Sequence, residues 1–160
     1  MARPVTKAFD NPYCQARLKA AQYNEKFKSR EGAAEELNIA KNTLVKYELD
    51  LCKAVPVDII VLMADAYHAP ELLNYYCSCE CPIGKGRIKK IEQKNLEQIT
   101  LQIANTISEA EQTKNKLMKI AEDGMVDQDE EEQMNDICQY FTKFQQMVGE
   151  LGLWIDKNMK

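Results

Sequence analysis

The sequence predicts an all-α protein in which five short helices precede a long antiparallel helical hairpin. No segment alternates apolar and polar residues for long enough to form a convincing strand. Proline and asparagine divide the first half into short apolar segments, whereas residues 87–122 contain neither Gly nor Pro. In that second half, apolar residues recur mostly every three or four positions, which is the spacing of one helix face. The 160 residues are enough for a small domain with an appended helical element.

Local start signals place the helices of the first half. Asparagine and serine cap helix N-termini, and proline is favoured at the first helical position. The five predicted helices begin near, in order, Asn11, Ser29, Lys41, Pro56 and Pro70. Asn38 falls where the second helix must end and turn, and Asn tolerates the left-handed conformation well. Gly32, inside that helix, costs about 1 kcal/mol relative to Ala.

The second half predicts two long helices. The first is continuous from Arg87 to about Glu122, and the acidic break "EDGMVDQDEEE" follows it. Asp127 or Asp129 is expected to cap the second helix, whose first turn is strongly acidic. That helix repeats apolar residues at three-four spacing over three heptads: Met134, Ile137, Cys138, Phe141, Phe144, Val148, Leu151, Trp154 and Ile155.

This hairpin is expected to associate with a second copy of the chain. Two long helices joined by a short loop lie antiparallel, and a lone pair cannot cover wide apolar stripes on both members. We therefore expect a coiled-coil or four-helix-bundle homodimer formed through residues 87–158. The predicted organisation is a head over residues 1–81, a linker over 82–86 and the hairpin over 87–160.

Charge and hydropathy narrow the class of protein. The net charge is −4, but residues 1–53 carry ten Lys and Arg against seven Asp and Glu, and residues 87–160 carry ten against fourteen. This asymmetry is compatible with a DNA-facing head and a solvated hairpin. No apolar run approaches the ~20 residues that span a bilayer, and the N-terminus lacks the apolar stretch of a secretion signal. We therefore expect a cytoplasmic protein with no membrane partner, and six free thiols.

Residues 29–48, "SREGAAEELNIAKNTLVKYE", have the pattern of a helix-turn-helix. The positions predicted to face inward are Ala33, Ala34, Leu37, Ile39, Leu44 and Tyr47. The small side chain of Ala34 lets the second helix pack tightly over the first. The positions left facing outward are Arg30, Lys41, Asn42, Thr43 and Lys46.

Two further stretches extend this pattern to residues 13–76: "RLKAAQ" in the first helix and "VLMADAYHAPELL" in the last two helices; within the pattern, "YE" at Tyr47 and Glu48 closes the recognition helix. In order and spacing they resemble the phage-repressor (Xre/Cro-like) helix-turn-helix family. The resemblance implies a five-helix domain that binds double-stranded operator DNA as a dimer. It does not extend to the hairpin.

The resemblance also implies roles for individual residues. The phosphate-contacting position of the family falls on Arg30, and its base-reading positions fall on Ala40, Lys41 and Asn42, with Lys46 one turn further on. Lys can donate to guanine O6 and N7, and Asn can pair with adenine N6 and N7. Thr43 can meet a phosphate or a thymine methyl group.

Two functions therefore stay open at this point. The leading hypothesis is a sequence-specific, repressor-like transcriptional regulator that acts as a dimer on a palindromic operator. The alternative is a protein-interaction module, antirepressor or antitoxin-like, whose hairpin binds a partner protein. We find no Gly-rich phosphate loop and no Ser/His/Asp arrangement, so neither an enzyme nor a cofactor is expected.

The stretch "YYCSCECPIGKG" places three cysteines, Cys77, Cys79 and Cys81, just before Pro82. A structural zinc site needs four ligands, so a fourth would have to come from elsewhere in the chain. Proline also pushes the residue before it out of helical geometry. We interpret the stretch as the end of the fifth helix, with free thiols, and keep these cysteines as candidate metal ligands. The candidates for a fourth ligand are Cys14, Cys52 and His68.

Overall fold

A computed structural model describes residues 10–122, 124–128 and 130–159. These residues contain helices and no strand, so the predicted all-α fold is confirmed. The chain divides into two compact units, the first ending at Lys90 and the second beginning at Ile91. None of the helices in the described ranges is long and apolar enough to cross a membrane.

Between residues 10 and 90 the first unit contains five short α-helices and two other short helical turns. A 3₁₀ turn spans Glu25–Lys28 and a π turn spans Tyr76–Glu80. The α-helices are α1 (Pro12–Ala20), α2 (Arg30–Glu36), α3 (Lys41–Glu48), α4 (Val57–Ala66) and α5 (Glu71–Tyr75).

The predicted start and turn signals form as expected. Asn11 Oδ1 accepts hydrogen bonds of 3.0 Å from the backbone N–H groups of Tyr13 and Cys14. Ser29 Oγ accepts a 3.0 Å hydrogen bond from the backbone N–H of Gly32. Asn38 has a φ of 51°, in the left-handed region, where α2 ends. These local side-chain contacts pair three of the N–H groups that would otherwise lack partners at the starts of α1 and α2.

The core of the first unit draws buried side chains from all five helices. Phe27 and Tyr67 meet edge to face at its centre, with ring centroids 5.1 Å apart. The core also takes in the predicted inward positions of the helix-turn-helix, and Ile39 packs against it half-buried. Its main members are Tyr13, Ala16, Ala20, Phe27, Ala33, Ala34, Leu37, Leu44, Tyr47, Ile60, Met63, Tyr67 and Leu72.

The structure explains why a glycine interrupts α2. A Cβ placed on Gly32 would lie 2.4 Å from the backbone oxygen of Lys26 in the preceding 3₁₀ turn. Backbone atoms cannot move aside as the end of a side chain can. Only a glycine lets α2 and the 3₁₀ turn approach this closely. The packing between these two segments therefore offsets the cost of Gly32 in helix propensity.

The prediction of one continuous helix from Arg87 to Glu122 is wrong. Residues 88–95 are not helical, and the helical region consists of α6 (Leu96–Ser108) and α7 (Ala110–Ile120). Asn95 and Gln98 form a capping box that begins α6. This cap pairs the N–H groups of Asn95 and Gln98 and so favours a start at Leu96, nine residues later than the apolar spacing indicated.

The break between α6 and α7 lies at Glu109. Its N–H bonds Thr106 O at 3.2 Å, one residue closer than an α-helical partner. The hydroxyls of Thr106 and Thr113 donate to backbone carbonyls four residues earlier, at 2.8 and 3.0 Å. Such back-bonding by Thr tends to bend helices, and it occurs on both sides of the break.

The last helix, α8 (Glu131–Asn158), packs against α6 and α7 and runs antiparallel to them. Lys116, near the end of α7, pairs with Asp136, near the start of α8, at 3.1 Å. Lys94, just before α6, bonds both carboxylate oxygens of Glu150, in the last third of α8, at 2.9 Å. These two contacts join opposite ends of the helices.

The prediction that Asp127 is the N-cap of α8 is wrong, because Glu130 holds that position and makes no side-chain cap hydrogen bond. Asp127 Oδ1 accepts a 3.0 Å hydrogen bond from the N–H of Glu130, the residue before α8. The alternative cap, Asp129, lies outside the described residues. Asp127 therefore stabilises the turn that leads into the helix.

We predict that Gly32→Ala destabilises the protein, although Ala is the better helix former. The new Cβ would force the backbones of α2 and the 3₁₀ turn apart, which should cost about 1–3 kcal/mol of unfolding free energy. Urea denaturation followed by circular dichroism measures this change. Glu35→Ala, at an exposed position of the same helix, is the matched control and should stay within about 0.5 kcal/mol. A Gly32→Ala protein as stable as the parent would contradict the explanation.

Candidate nucleic-acid interface

The turn between α2 and α3 is built from backbone hydrogen bonds and one left-handed residue. The N–H of Ile39 bonds Ala34 O at 2.9 Å and closes α2, and Asn38 supplies the change of direction. Ala40 is extended and begins α3 without a side-chain cap. Ala33, Ala34 and Leu44 are almost completely buried where the helices cross. The two helices are thereby fixed to one another by the core.

The predicted contact residues fall into an exposed set and a half-buried set. Ala40, Lys41, Asn42 and Lys46 are exposed, whereas Thr43 and Arg30 are half-buried. Asn42 and Lys46 are four residues apart and so share one helix face, with Lys41 beside them at the helix start. The structure therefore presents the first turns of α3 at the surface, as a recognition helix requires.

A buried carboxylate connects α3 to three other segments. Glu48 is completely buried, and its oxygens accept hydrogen bonds from Arg17 Nε at 2.5 Å, Arg17 Nη2 at 3.1 Å and Arg30 Nε at 2.6 Å. Arg17 Nη1 also donates to Phe27 O at 2.8 Å. The network thus joins α3 to α1, the 3₁₀ turn and the start of α2.

The network sets the protonation of both partners. Burial alone would raise the pKa of Glu48, but the hydrogen bonds from Arg17 and Arg30 and their positive charges outweigh it, so the pKa lies below its ordinary value. Burial likewise acts to lower the pKa of Arg17, and Glu48 reverses that effect and raises it. Both groups are therefore held in their charged forms.

Arg17 and Glu48 were not predicted as a pair. Arg17 lies between Ala16 and Leu18, and α1 contains no acidic residue that could pair with it. Glu48 was noted only as part of the "YE" that closes α3. Nothing local indicates that these residues, 31 positions apart, meet.

Most cations around α2 and α3 are already paired with carboxylates. Lys41 bonds Glu31 of α2, at the surface. Three other cations are also paired: Lys26 with Glu36 and Lys28 with Glu25 at the surface, and Arg30 with the buried Glu48. Within the described ranges Lys46 makes no ion pair. The surface therefore has less free positive charge than its lysine content suggests.

The cysteine stretch forms a compact end to α5. The N–H of Cys81 bonds Tyr76 O at 2.8 Å, which closes the π turn, and Cys81 itself is extended, as its position before Pro82 predicts. Tyr13 donates a 2.8 Å hydrogen bond to Glu80 and so ties this end to α1. A Cβ on Gly84 would lie 2.1 Å from Cys77 O, so the chain after the turn packs directly on its backbone.

The candidate metal ligands do not come together as a site. Cys77, Cys79 and Cys81 are half-buried free thiols. Over residues 10–122, 124–128 and 130–159, no group of three His, Cys, Asp or Glu side chains could hold a metal ion. The geometry of the stretch is accounted for by chain packing.

Comparison with known proteins gave no match to a protein-family model, a curated protein or a solved structure. The resemblance to the phage-repressor family stays a prediction made from the motifs.

We predict that Glu48→Gln destabilises the protein at pH 7 by about 3–5 kcal/mol, because it leaves Arg17 buried without its counter-charge. The pKa of Glu48 is depressed in the folded state, so its contribution is present above the pKa of an unfolded Glu, near 4.3. That contribution disappears as the pH falls through the lower folded value. Urea titrations at pH 7 and between pH 5 and 2 measure both effects.

The matched control is Arg30→Gln, which removes the partly exposed partner and leaves the Arg17–Glu48 pair intact. We expect it to lose less stability than Glu48→Gln. Stability of Glu48→Gln that falls with acid as steeply as in the parent would show that Glu48 does not cause the acid sensitivity.

Proposed function

We propose that the protein is a cytoplasmic, repressor-like transcriptional regulator that binds a palindromic DNA sequence as a homodimer. The observation that carries the proposal is the helix-turn-helix of α2 and α3. Its crossing is packed with small buried residues, while Lys41, Asn42 and Lys46 are exposed on the first turns of α3. A helix presented in this way fits the major groove, which is wide enough to admit it.

The polar residues at this surface match hydrogen-bonding groups on DNA. Lys41 can donate to guanine, Asn42 can pair with adenine, and Lys46, one turn later, can reach a base or a phosphate. Thr43 suits a phosphate or a thymine methyl group. Arg30 uses its Nε atom on Glu48, so the terminal nitrogens of its guanidinium are the atoms we assign to a phosphate. Two-fold symmetry would place the half-sites ~34 Å apart, or a multiple of that distance.

The ion pairs at this surface make the binding conditional. Lys41 must leave Glu31 before it can contact a base, and the pairs of Lys26 and Lys28 weaken the attraction for phosphates. Because fewer free cations displace fewer counterions, we expect a moderate affinity and a shallow dependence on salt. Specificity then depends on base contacts more than on charge.

A second candidate, a protein-interaction module, is favoured by a different observation. Several large apolar side chains of the second unit are exposed, and surfaces of this kind serve as protein contacts. They are Leu101, Ile107, Met118, Phe141 and Val148. On this reading the hairpin binds a partner protein and the helix-turn-helix is secondary.

Selection from a random pool of duplex DNA tests the proposed function directly. We expect enrichment of a palindromic sequence, and Lys41→Ala and Asn42→Ala should each weaken binding to it by about 5- to 150-fold. Fluorescence anisotropy with labelled duplex measures the affinity, and circular dichroism verifies the fold. Lys19→Ala, an exposed lysine on α1, is the control and should bind as the parent does. Enrichment of no sequence, with the fold intact, would favour the interaction module.

Removing the acidic partner of Lys41 should have the opposite effect. In Glu31→Gln the Lys41 amine is no longer held at α2, and a negative charge near the DNA is lost. We expect the affinity for the selected duplex to rise by roughly two- to fivefold at low salt, and the gain to shrink as salt increases. Glu36→Gln, which releases Lys26 instead, separates the effect on Lys41 from a general change of charge. Equal gains from both variants would mean that Lys41 has no special role.

A further inference from the structure

Apolar residues occupy seven of eight successive heptad positions of α8, and Asn158 occupies the eighth. Eight positions follow each other at alternating steps of three and four residues, from Met134 to Asn158. In heptad notation these are positions a and d, which face a partner helix in a coiled coil. They are Met134, Ile137, Phe141, Phe144, Val148, Leu151, Ile155 and Asn158.

Within one chain most of this stripe is uncovered. The side of α8 that is buried in its own unit carries Ile137, Tyr140, Met147, Glu150 and Leu153. By contrast, Phe141 is 51% exposed, Phe144 38%, Val148 52% and Ile155 39%. We call the residues from Phe141 to Ile155 at positions a and d the outer stripe. Only Ile137 among the a and d positions is fully buried.

The flank of the outer stripe is suited to close contact with an identical helix. Position e, beside the stripe, is occupied by Cys138, Gln145 and Gly152, none of which carries a charge. A Cβ added at Gly152 would meet no atom within 4 Å, so no packing inside the unit requires a glycine there. A glycine inside a helix costs about 1 kcal/mol relative to Ala. Close contact with a second helix would explain why position 152 is a glycine.

The distribution of charge along α8 decides the direction of such a pair. The first turns carry Glu131, Glu132 and Asp136, whereas the last turn carries Asp156 and Lys157. A parallel pair would bring the acidic ends of both copies together, and an antiparallel pair would set each against the electrically balanced end of the other. Antiparallel packing also brings opposite ends of the two helix dipoles together.

The outer stripe is self-complementary in that direction. In an antiparallel pair, position a of one helix faces position d of the other. The heptad pattern is symmetric about residue 146, so Phe141 would face Leu151 of the copy, and Phe144 would face Val148. These two layers each set an aromatic ring against an aliphatic side chain of smaller volume, and Ile155 would face Ile137.

We propose that the outer stripe of α8 is the dimer interface of this protein, and that it binds the α8 helix of a second copy in the antiparallel direction. The inference deepens the dimeric arrangement of the proposed function, but it depends only on the surface of α8. All measurements of it are made without DNA. A chain that dimerises through α8 but selects no DNA sequence would thus refute the proposed DNA binding alone. A chain that selects a DNA sequence but still dimerises as Phe144→Glu and Val148→Glu would refute the interface alone.

Cysteine cross-linking tests both the surface and the direction. The full chain with Cys138→Ser is the background, and Phe141→Cys and Leu151→Cys are introduced into it separately. In an antiparallel pair these two positions face each other, whereas each lies about 15 Å along the axis from its own copy. A short bismaleimide should therefore give covalent dimers only when the two variants are mixed.

The remaining outcomes overturn the proposal. In a parallel pair each introduced cysteine would face its own copy. Covalent dimers from each variant alone, with no increase when the two variants are mixed, would therefore indicate a parallel pair. No dimers above the Cys138→Ser background in any sample would mean that α8 is not the interface.

Sedimentation of the protein without cross-linker gives an independent test. The parent chain should sediment with the mass of two chains at micromolar concentration, and Phe144→Glu and Val148→Glu with the mass of one. Gln139→Glu adds the same charge away from the stripe and should leave the dimer intact. Because both stripe residues are exposed within a chain, helicity should be unchanged in all three variants. Dimers of Phe144→Glu and Val148→Glu would refute the interface.

Discussion

The buried carboxylate of Glu48 is the constraint on which the first unit depends. A charge with no access to water must be paired, and Glu48 finds its partners on two different helices, Arg17 on α1 and Arg30 on α2. Arg17 also fixes the position of the 3₁₀ turn, because its Nη1 donates a hydrogen bond to the carbonyl oxygen of Phe27. Hydrophobic packing can tolerate small shifts between helices, but hydrogen bonds to one carboxylate cannot. The position of α3, and with it the surface that carries Lys41 and Asn42, follows from this network.

Arg30 illustrates how one side chain can serve the fold and the proposed site together. Its Nε atom donates to Glu48, and about a third of the side chain stays exposed. A guanidinium has five N–H donors in a rigid fork, so a bond through Nε orients the terminal nitrogens. A lysine here could not do both, because its single ammonium group has no fixed direction. The fold therefore preorganises the one cation at the start of α2 that the proposed function assigns to a phosphate.

The parts of the fold that were predictable from sequence are those with local causes. Asn11, Ser29 and Asn38 act on neighbouring backbone atoms, and apolar spacing reveals which side chains enter the core. The predicted start of the long helix at Arg87 was wrong. Residues 88–95 continue the apolar spacing, but the capping box at Asn95 begins α6 later. At the candidate site, exposure could be predicted from spacing, whereas the pairing of Lys41 with Glu31 could not. That pair depends on the angle at which two helices cross, which no local pattern encodes.

A second buried acid explains why the outer stripe of α8 stays uncovered within its own chain. Glu150 is buried on the inner side of α8, where Lys94 and Gln146 bond its oxygens at 2.9 and 3.2 Å. Rotating α8 to bury Phe141 and Val148 would pull Glu150 away from these donors. It would also leave the Lys94 amine, which is held by Glu150 and by Gln102 at 2.8 Å, without its counter-charge. A polar pair that contributes little net stability can still select one of two apolar faces in this way. The other apolar face of α8, which carries the outer stripe, therefore stays available to another helix.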